Sequence, residues 1–195
     1  MNYYAKFIKK KLDKSIDKLS KVIHLFSVRP GKDFTRNREL PTKKLIEFLI
    51  SMGGNTQTKE LLEYFKFSTK TPTSSALIQQ RNKLKPEALK FVFDEFIGSL
   101  NDLKTFNSYH LIAVDGSKVG IPLNPDDEET YVLSNKNSKG YNLLHINSLY
   151  DICNKLYLDV SIQAYRKSNE YKALVDMVRC WNVNTYLDLN FPILK

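Results

Sequence analysis

The hydrophobic period of the sequence changes near Tyr109, and this change restricts the fold more than any other feature. Before Tyr109 apolar residues recur every three to four positions, which is typical of amphipathic helices. After it, apolar and polar residues alternate, which is typical of strands with one buried face. The sequence therefore predicts an α+β fold with two domains, a helical region over residues 1–106 and a strand-rich domain over residues 107–195.

Five helices are predicted in the first domain. Tyr4 to Phe26 forms the first, which Arg29-Pro30-Gly31 ends, and Thr42 is the predicted N-cap of the second. The other three are predicted over Thr58 to Lys66, over Ser74 to Leu84, and after Pro86, which opens the fifth helix.

Three strands and one helix are predicted in the second domain. Leu111 to Val114 is a short apolar run that ends at Asp115-Gly116, which favours a buried strand followed by a turn. Tyr141 to Tyr150 and Leu156 to Ala164 predict an antiparallel hairpin. In its second strand the predicted core face consists of Leu156, Leu158, Val160 and Ile162. Ser168 is the predicted cap of a helix to Arg179, with an inward face formed by Tyr171, Leu174, Met177 and Val178.

Positive charge is concentrated at the start of the chain. The net charge is +9, and residues 1–44 hold 13 Lys and Arg against 4 Asp and Glu, whereas the remainder is neutral. A basic arm on a neutral body suits a nucleic-acid partner, because neutralising phosphates releases counterions. A lysine-rich solvated helix, or a helix lying on a membrane surface, is the alternative.

Several protein classes do not fit the composition. No apolar run reaches the roughly 18 to 20 residues of a membrane helix, and the first residues lack the apolar centre of a signal peptide. Cys153 and Cys180 lie far apart without a CxxC pattern, which argues against a disulfide scaffold or a zinc site. We therefore expect a cytoplasmic protein with no membrane partner.

Two groups of residues are candidates for contact with DNA. The first is the basic arm, with Lys9, Lys10, Lys11 and Lys14. The second lies on the second helix of a predicted helix-turn-helix, where amide and guanidinium groups can read base edges: Gln79, Gln80, Arg81, Asn82 and Lys83. A solvated helix face is the alternative for this second group.

Asp115 is the one carboxylate whose predicted position is unusual. An ionised carboxylate at the end of a buried strand costs several kcal/mol unless a cation or hydrogen-bond donors compensate it. A divalent metal ion would do so, and an Asp-Gly turn with the carboxylate on backbone N–H groups is the alternative. His24, His110 and His145 are isolated in the sequence, and we expect them to be structural.

Four segments resemble the DDE-type transposases of bacterial insertion sequences, in the branch called IS family four. Three lie in the second domain: LIAVDGSKVGIP at Leu111 to Pro122, KGYNLLHINSLYDICNKLYLDVSIQ at Lys139 to Gln163, and RKSNEYKALVDMV at Arg166 to Val178. The fourth, SSALIQQRNKL at Ser74 to Leu84, resembles the helical DNA-binding region of that family. The resemblance covers about Lys44 to Arg179.

This resemblance implies an RNase H-like catalytic domain, in which three carboxylates hold two Mg²⁺ ions for DNA cleavage and strand transfer at transposon ends. Of those three, only the first is carried over, onto Asp115, as a catalytic residue and metal ligand. Duplex DNA and the terminal repeats of a transposon are the implied partners, and the implied location is the bacterial nucleoid.

The sequence departs from the family after Arg179. There the family has a strand that ends in its second catalytic Asp, within an Asp-Arg-Gly-Tyr-like motif, whereas this chain has WNVNTYLDLNFPILK with Asp188 as its one acid. One aspartate cannot hold two ions, so we expect a C-terminally truncated, inactive transposase. The sheet edge left unpaired makes self-association a further expectation. A non-catalytic DNA-binding module acting on transposon ends is the alternative function.

Overall fold

A computed structural model describes residues 3–36, 39–101, 103–133 and 139–180 of the chain. These residues form six α-helices and one antiparallel sheet of four strands, so the α+β class is confirmed. The chain divides into two compact units, Met1–Asn101 and Asp102–Lys195. The predicted boundary between residues 106 and 107 lies five residues further along the chain.

The first unit contains five helices: α1 Tyr3–Lys21, α2 Thr42–Ser51, α3 Gln57–Tyr64, α4 Ser74–Arg81 and α5 Glu87–Gly98. Helix α1 is shorter than the helix predicted from the sequence, because it ends at Lys21 and Ile23–Phe26 forms a 3₁₀ turn. The prediction of Thr42 as N-cap is wrong by one position, since Thr42 is the first helical residue and Pro41 precedes it as the cap. Pro86 likewise caps α5.

Two apolar clusters form the interior of this unit. One joins α1, α2 and α5 through Ile16, Leu19, Ile46, Ala88 and Val92. The other joins α2, α3 and α4, together with the segment before α2, through Leu40, Leu45, Phe48, Leu61 and Leu77. Because α2 contributes to both clusters, it fixes α4 against the rest of the unit.

The second unit contains β1 Ile112–Ile121, β2 Tyr131–Val132, β3 Tyr141–Asp151, β4 Leu156–Ala164 and α6 Glu170–Cys180. Strand β3 pairs along one edge with β1 and along the other with β4, and β2 pairs with the first two residues of β3 beyond β4. The predicted hairpin of β3 and β4 is thereby confirmed. The prediction of three strands is wrong by one, because the two-residue strand β2 is too short to give an alternating pattern in the sequence.

The first strand of this unit is longer than predicted. It does not end at Asp115-Gly116, because ten consecutive residues of β1 pair with β3, with Asp115 opposite Ser148 and Gly116 opposite Asn147. Most side chains after Ile112 are exposed. Polar residues are tolerated here because pairing with β3 satisfies the backbone hydrogen-bonding groups, while the side chains of this edge strand remain in water.

The predicted core face of β4 is wrong in part. Leu158 is 3% exposed, but Ile162 is 63% exposed. The pairing with β3 shifts register between Leu149 and Tyr150, where Leu158 is the extra residue of a β-bulge. The extra residue of a bulge reverses which side chains of the strand point to each face of the sheet. The residues of β4 that follow the bulge and share a face with buried Leu149 are therefore polar.

Helix α6 covers that polar face of the sheet and buries Ala173 and Met177. Its cap is Asn169, whose Oδ1 accepts a hydrogen bond of 2.8 Å from the Lys172 N–H. The prediction of Ser168 as the cap is therefore wrong: its hydroxyl donates to the Tyr165 carbonyl. Within the described part of the chain, no helix combines the length and the apolar character that crossing a membrane requires.

Candidate nucleic-acid interface

A basic groove lies beside α4 in the first unit. It consists of two adjoining depressions of about 770 Å³ and 540 Å³, which share Leu40, Pro41, Gln80 and Lys83. Five cationic and two acidic residues line it: Arg29, Lys32, Arg36, Lys44 and Lys83, with Asp33 and Glu39. The described walls of the groove therefore carry an excess of positive charge.

A short backbone ladder holds the two sides of the groove together. The Val28 N–H donates to the Lys83 carbonyl at 2.9 Å, and the Lys85 N–H donates to the Phe26 carbonyl at 2.9 Å. This pairing ties the residues before Arg29 to those that follow α4. The cationic side chains of both segments are thus presented on a fixed backbone rather than on independent loops.

Asp33 neutralises one of the five cations. Its carboxylate is 2.8 Å from Nη2 of Arg29 and also accepts the Arg29 backbone N–H at 3.0 Å. These hydrogen bonds lower the pKa of Asp33 below its ordinary value, so that it stays ionised beside the guanidinium. The remaining charges are those of four cations and of Glu39, which leaves the basic groove suited to an anionic partner.

The predicted base-reading residues do not share one environment. Gln79, Arg81 and Asn82 are exposed, whereas Gln80 is only 7% exposed. Oε1 of Gln80 accepts a hydrogen bond of 3.1 Å from Nζ of Lys83. Gln80 thus lies largely buried in the lining of the groove, where it accepts a hydrogen bond from the Lys83 ammonium.

The connection between α3 and α4 also differs from the predicted helix-turn-helix. It runs over residues 65–73, which is longer than the three or four residues of that motif. The first residues of this connection, Lys66 and Phe67, have positive φ angles of 52° and 55°. Its last residues, Thr71, Pro72 and Thr73, line the basic groove.

Three of the four predicted arm lysines are exposed on α1. Lys9, Lys10 and Lys14 point to solvent, whereas Nζ of Lys11 donates to the Ser99 carbonyl at 2.6 Å. That carbonyl lies at the C-terminal end of α5, where the helix dipole favours a cation. Lys11 therefore contributes to packing within the unit, and the other three are available to a partner.

Asp115 is exposed and lies in the middle of β1, opposite Ser148. A Cβ atom at the next residue, Gly116, would contact Glu170 of α6, so alternation along the strand turns Asp115 to the face away from α6. Within residues 3–36, 39–101, 103–133 and 139–180 no three His, Cys, Asp or Glu side chains lie close enough to hold a metal ion. Asp188, the other acidic residue named from the sequence, lies outside the described residues.

A buried polar network on β3 was not predicted from the sequence. His145 is 5% exposed, and its Nε2 lies 3.1 Å from Oδ1 of Asn147 and 3.2 Å from Oε1 of Glu170. Asn147 Nδ2 donates to Gln163 Oε1 at 3.3 Å, and the same oxygen accepts the Asn169 N–H at 2.9 Å. The network joins β3, β4 and the start of α6. Its sequence signal is the pair His145 and Asn147, two polar residues two positions apart that strand alternation places on one face.

Comparison with known proteins gives no match for this chain: no family model, no curated protein and no solved structure matches it. The resemblance to DDE-type transposases thus stays an expectation drawn from the quoted segments.

Proposed function

We propose that the chain is a DNA-binding protein of the DDE transposase class, whose first unit holds duplex DNA in the basic groove. The observation that carries this proposal is the clustering of Lys32, Arg36, Lys44 and Lys83 around one concave surface. Among the described residues that line it, Glu39 is the one acidic residue not paired with Arg29. Side chains of this type neutralise phosphates and fix a duplex in place without reading its sequence.

The physical basis is counterion release. Each phosphate that the groove neutralises frees condensed cations, so the logarithm of the binding constant falls against the logarithm of salt concentration with a slope of about 0.9 per phosphate. Exposed Lys9, Lys10 and Lys14 on α1 would add to this term. Exposed Gln79 in the groove wall and Asn82 beside it carry amide groups suited to base edges.

The second unit supports assignment to the DDE transposase class but does not support a proposal of DNA cleavage. Three antiparallel strands followed by a helix are what the resemblance implies for the start of an RNase H-like domain, and β1, β3, β4 and α6 follow each other in that order. Because the resemblance carries over only the first of the family's three carboxylates, onto Asp115, the proposed activity is DNA binding without cleavage.

The test compares two double variants that remove the same charge from different places. Lys44→Gln/Lys83→Gln removes two groove cations, and Lys59→Gln/Lys90→Gln removes two cations, 58% and 57% exposed, that do not line the groove. Affinity for a short synthetic duplex is measured by fluorescence anisotropy over a range of salt concentrations. We expect the groove variant to reduce the salt slope by about two and the control to leave it nearly unchanged.

Two results would count against the proposal. An affinity of the unmodified chain that does not depend on salt would exclude phosphate neutralisation as its source. An equal loss in both double variants would show that net charge, and not the groove, determines binding.

A further inference from the structure

The connection between α3 and α4 presents an aromatic ring to solvent in an unusual backbone conformation. Phe67 is 71% exposed, and both it and Lys66 adopt the left-handed region, with φ angles of 55° and 52°. Bulky side chains rarely occupy this region unless the surrounding structure holds them there. Burial of the Phe67 ring within the unit does not account for this conformation, because most of the ring is in water.

Backbone hydrogen bonds fix this conformation. The Phe67 N–H donates to the Leu62 carbonyl at 2.8 Å, and the Lys66 N–H donates to the Glu63 carbonyl at 3.1 Å, so the segment closes the end of α3. Beyond the ring, Ser68 accepts the Thr71 N–H at 3.0 Å through its carbonyl. The ring is therefore held on an ordered backbone, which lowers the entropy cost of placing it against a partner.

The same segment forms one wall of the basic groove. The Ser68 to Thr71 turn folds the chain back, and Thr71 at its end lines the groove. Two residues before Phe67, the ring of Phe65 contacts the groove residue Lys44, whose Nζ lies 5.7 Å from the Phe65 ring centroid. Phe67 thus lies within a short segment that contacts the groove before and after it. Exposed Lys66 and Lys70 flank it in the sequence.

We infer that Phe67 is a wedge that inserts between base pairs of a duplex held in the basic groove. An apolar side chain inserted between two base pairs partly unstacks them and kinks the duplex. Cationic side chains nearby bind the phosphates and hold the protein in place during this insertion. An exposed phenylalanine on a hydrogen-bonded backbone, flanked in sequence by two lysines and followed by residues that line the basic groove, combines these requirements. This inference rests on the proposed function and adds to it a distortion of the bound DNA.

The experiment uses the full chain and a short synthetic duplex in which adenines of one strand are replaced by 2-aminopurine, whose fluorescence rises when it is unstacked. The variants are Phe67→Ala, Phe67→Trp and the control Leu25→Ala, which removes an apolar side chain that is 59% exposed in the same unit. Circular dichroism melting checks that each variant folds, and we expect no loss of stability because Phe67 is exposed.

We expect the unmodified chain, Phe67→Trp and Leu25→Ala to raise the fluorescence on binding. Phe67→Ala should abolish the rise and weaken binding roughly tenfold, since stacking one base on an aromatic ring has an effect of that order. An unchanged fluorescence rise and affinity in Phe67→Ala would overturn the wedge, and the proposed function would still stand if Lys44→Gln/Lys83→Gln weakens binding. Failure of the unmodified chain to bind the duplex at low salt would overturn both.

Discussion

The two units bury different kinds of side chain. In the first unit the described interior is formed by aliphatic and aromatic residues on its helices, in the two clusters that α2 joins. In the second unit the central strand β3 buries Asn142, His145, Asn147 and Asp151, each 5% exposed or less. The first interior is stabilised mainly by the non-directional hydrophobic effect, although Glu60 and Gln80 are also buried there. The second combines buried apolar residues, among them Leu149, Leu158 and Met177, with directional hydrogen bonds.

This difference affects how firmly each unit specifies its structure. An apolar helix interface tolerates changes that preserve volume, and the surface outside it can carry charge, as the basic groove does. A buried amide or carboxylate needs its own partners: Asn142 Nδ2 donates to the Asn124 carbonyl at 2.8 Å, and its Oδ1 accepts the Asn124 N–H at 2.8 Å. A slip of one residue along β3 would leave such groups unpaired, so they fix the strand register.

The largest expected loss of stability follows from a substitution in the apolar interior of the first unit. Leu19 is fully buried in the cluster of α1, α2 and α5, so Leu19→Ala should lower the free energy of unfolding by about 3 kcal/mol through lost burial and the cavity left behind. Urea unfolding followed by circular dichroism measures this change. The control Leu25→Ala, at an exposed residue, should change stability by less than about 0.5 kcal/mol. Similar losses in both variants would contradict the assignment of this core.

The next effect tests the polar interior. The fully buried Asp151 carboxylate accepts the Asn154 N–H at 2.9 Å and Asn154 Nδ2 at 2.8 Å. Asp151→Ala removes the acceptor of the Asn154 N–H and one of the two acceptors of Asn154 Nδ2, which still donates to the Lys104 carbonyl at 3.0 Å, and we expect a loss of about 2 kcal/mol in the free energy of unfolding. Asp151→Asn keeps one acceptor oxygen and should lose less. An Asn variant as damaging as the Ala variant would show that charge, rather than hydrogen bonding, matters at this position.

A smaller effect tests the contact between β1 and the polar network. A Cβ atom at Gly116 would lie 2.9 Å from Nε2 of buried His145 and 2.7 Å from Oε1 of Glu170. The exposed end of Glu170 can move and His145 cannot, so Gly116→Ala should destabilise by about 1 kcal/mol. Gly120→Ala in the same strand has no heavy atom within 4 Å and is the matched control. Equal stability of the two variants in thermal unfolding would argue against this packing.

The smallest effect concerns Glu60, an acidic residue of α3 that is buried next to Leu61 of the second apolar cluster. Glu60 accepts the backbone N–H groups of Asn55 and Gly53, each at 3.0 Å, and these hydrogen bonds lower the pKa of Glu60. A lowered pKa contributes stability above the ordinary pKa of glutamate, about 4.3, and this contribution is lost as pH falls through the folded value. Glu60→Gln should therefore flatten the pH dependence of unfolding in acid, measured by urea titrations at several pH values. An unchanged pH profile would contradict the prediction.

Local patterns predicted the helices and the β3–β4 hairpin, because helical period and strand alternation are properties of adjacent residues. They did not predict the length of β1, since its polar second half is a strand only through pairing with β3. The exposed face of β4 depends on a bulge, and no residue type in the sequence predicts that bulge. In α6 the predicted inward stripe fails at its first member, as Tyr171 is 78% exposed, because the helix face toward the sheet runs through Glu170, Ala173 and Met177.

The candidate site shows the same limit. Charge counting placed the basic residues near the start of the chain, but the groove also needs Lys83, which the ladder between residues 26–28 and 83–85 brings to Arg29. The burial of Gln80 follows from packing of α4 and not from the sequence of that helix. His145 was isolated in the sequence, and only the register of β3 against β4 and α6 places it in a network.

Hydrogen exchange of the full chain, with and without a duplex at low salt, tests the central claim most directly. If the first unit holds DNA in the basic groove, amides of residues 29–36 and 71–83 will exchange more slowly in the complex, and amides of residues 141–164 will exchange as they do in the free protein. Binding of the duplex with slowed exchange in residues 141–164 and none in the two groove segments would contradict the account.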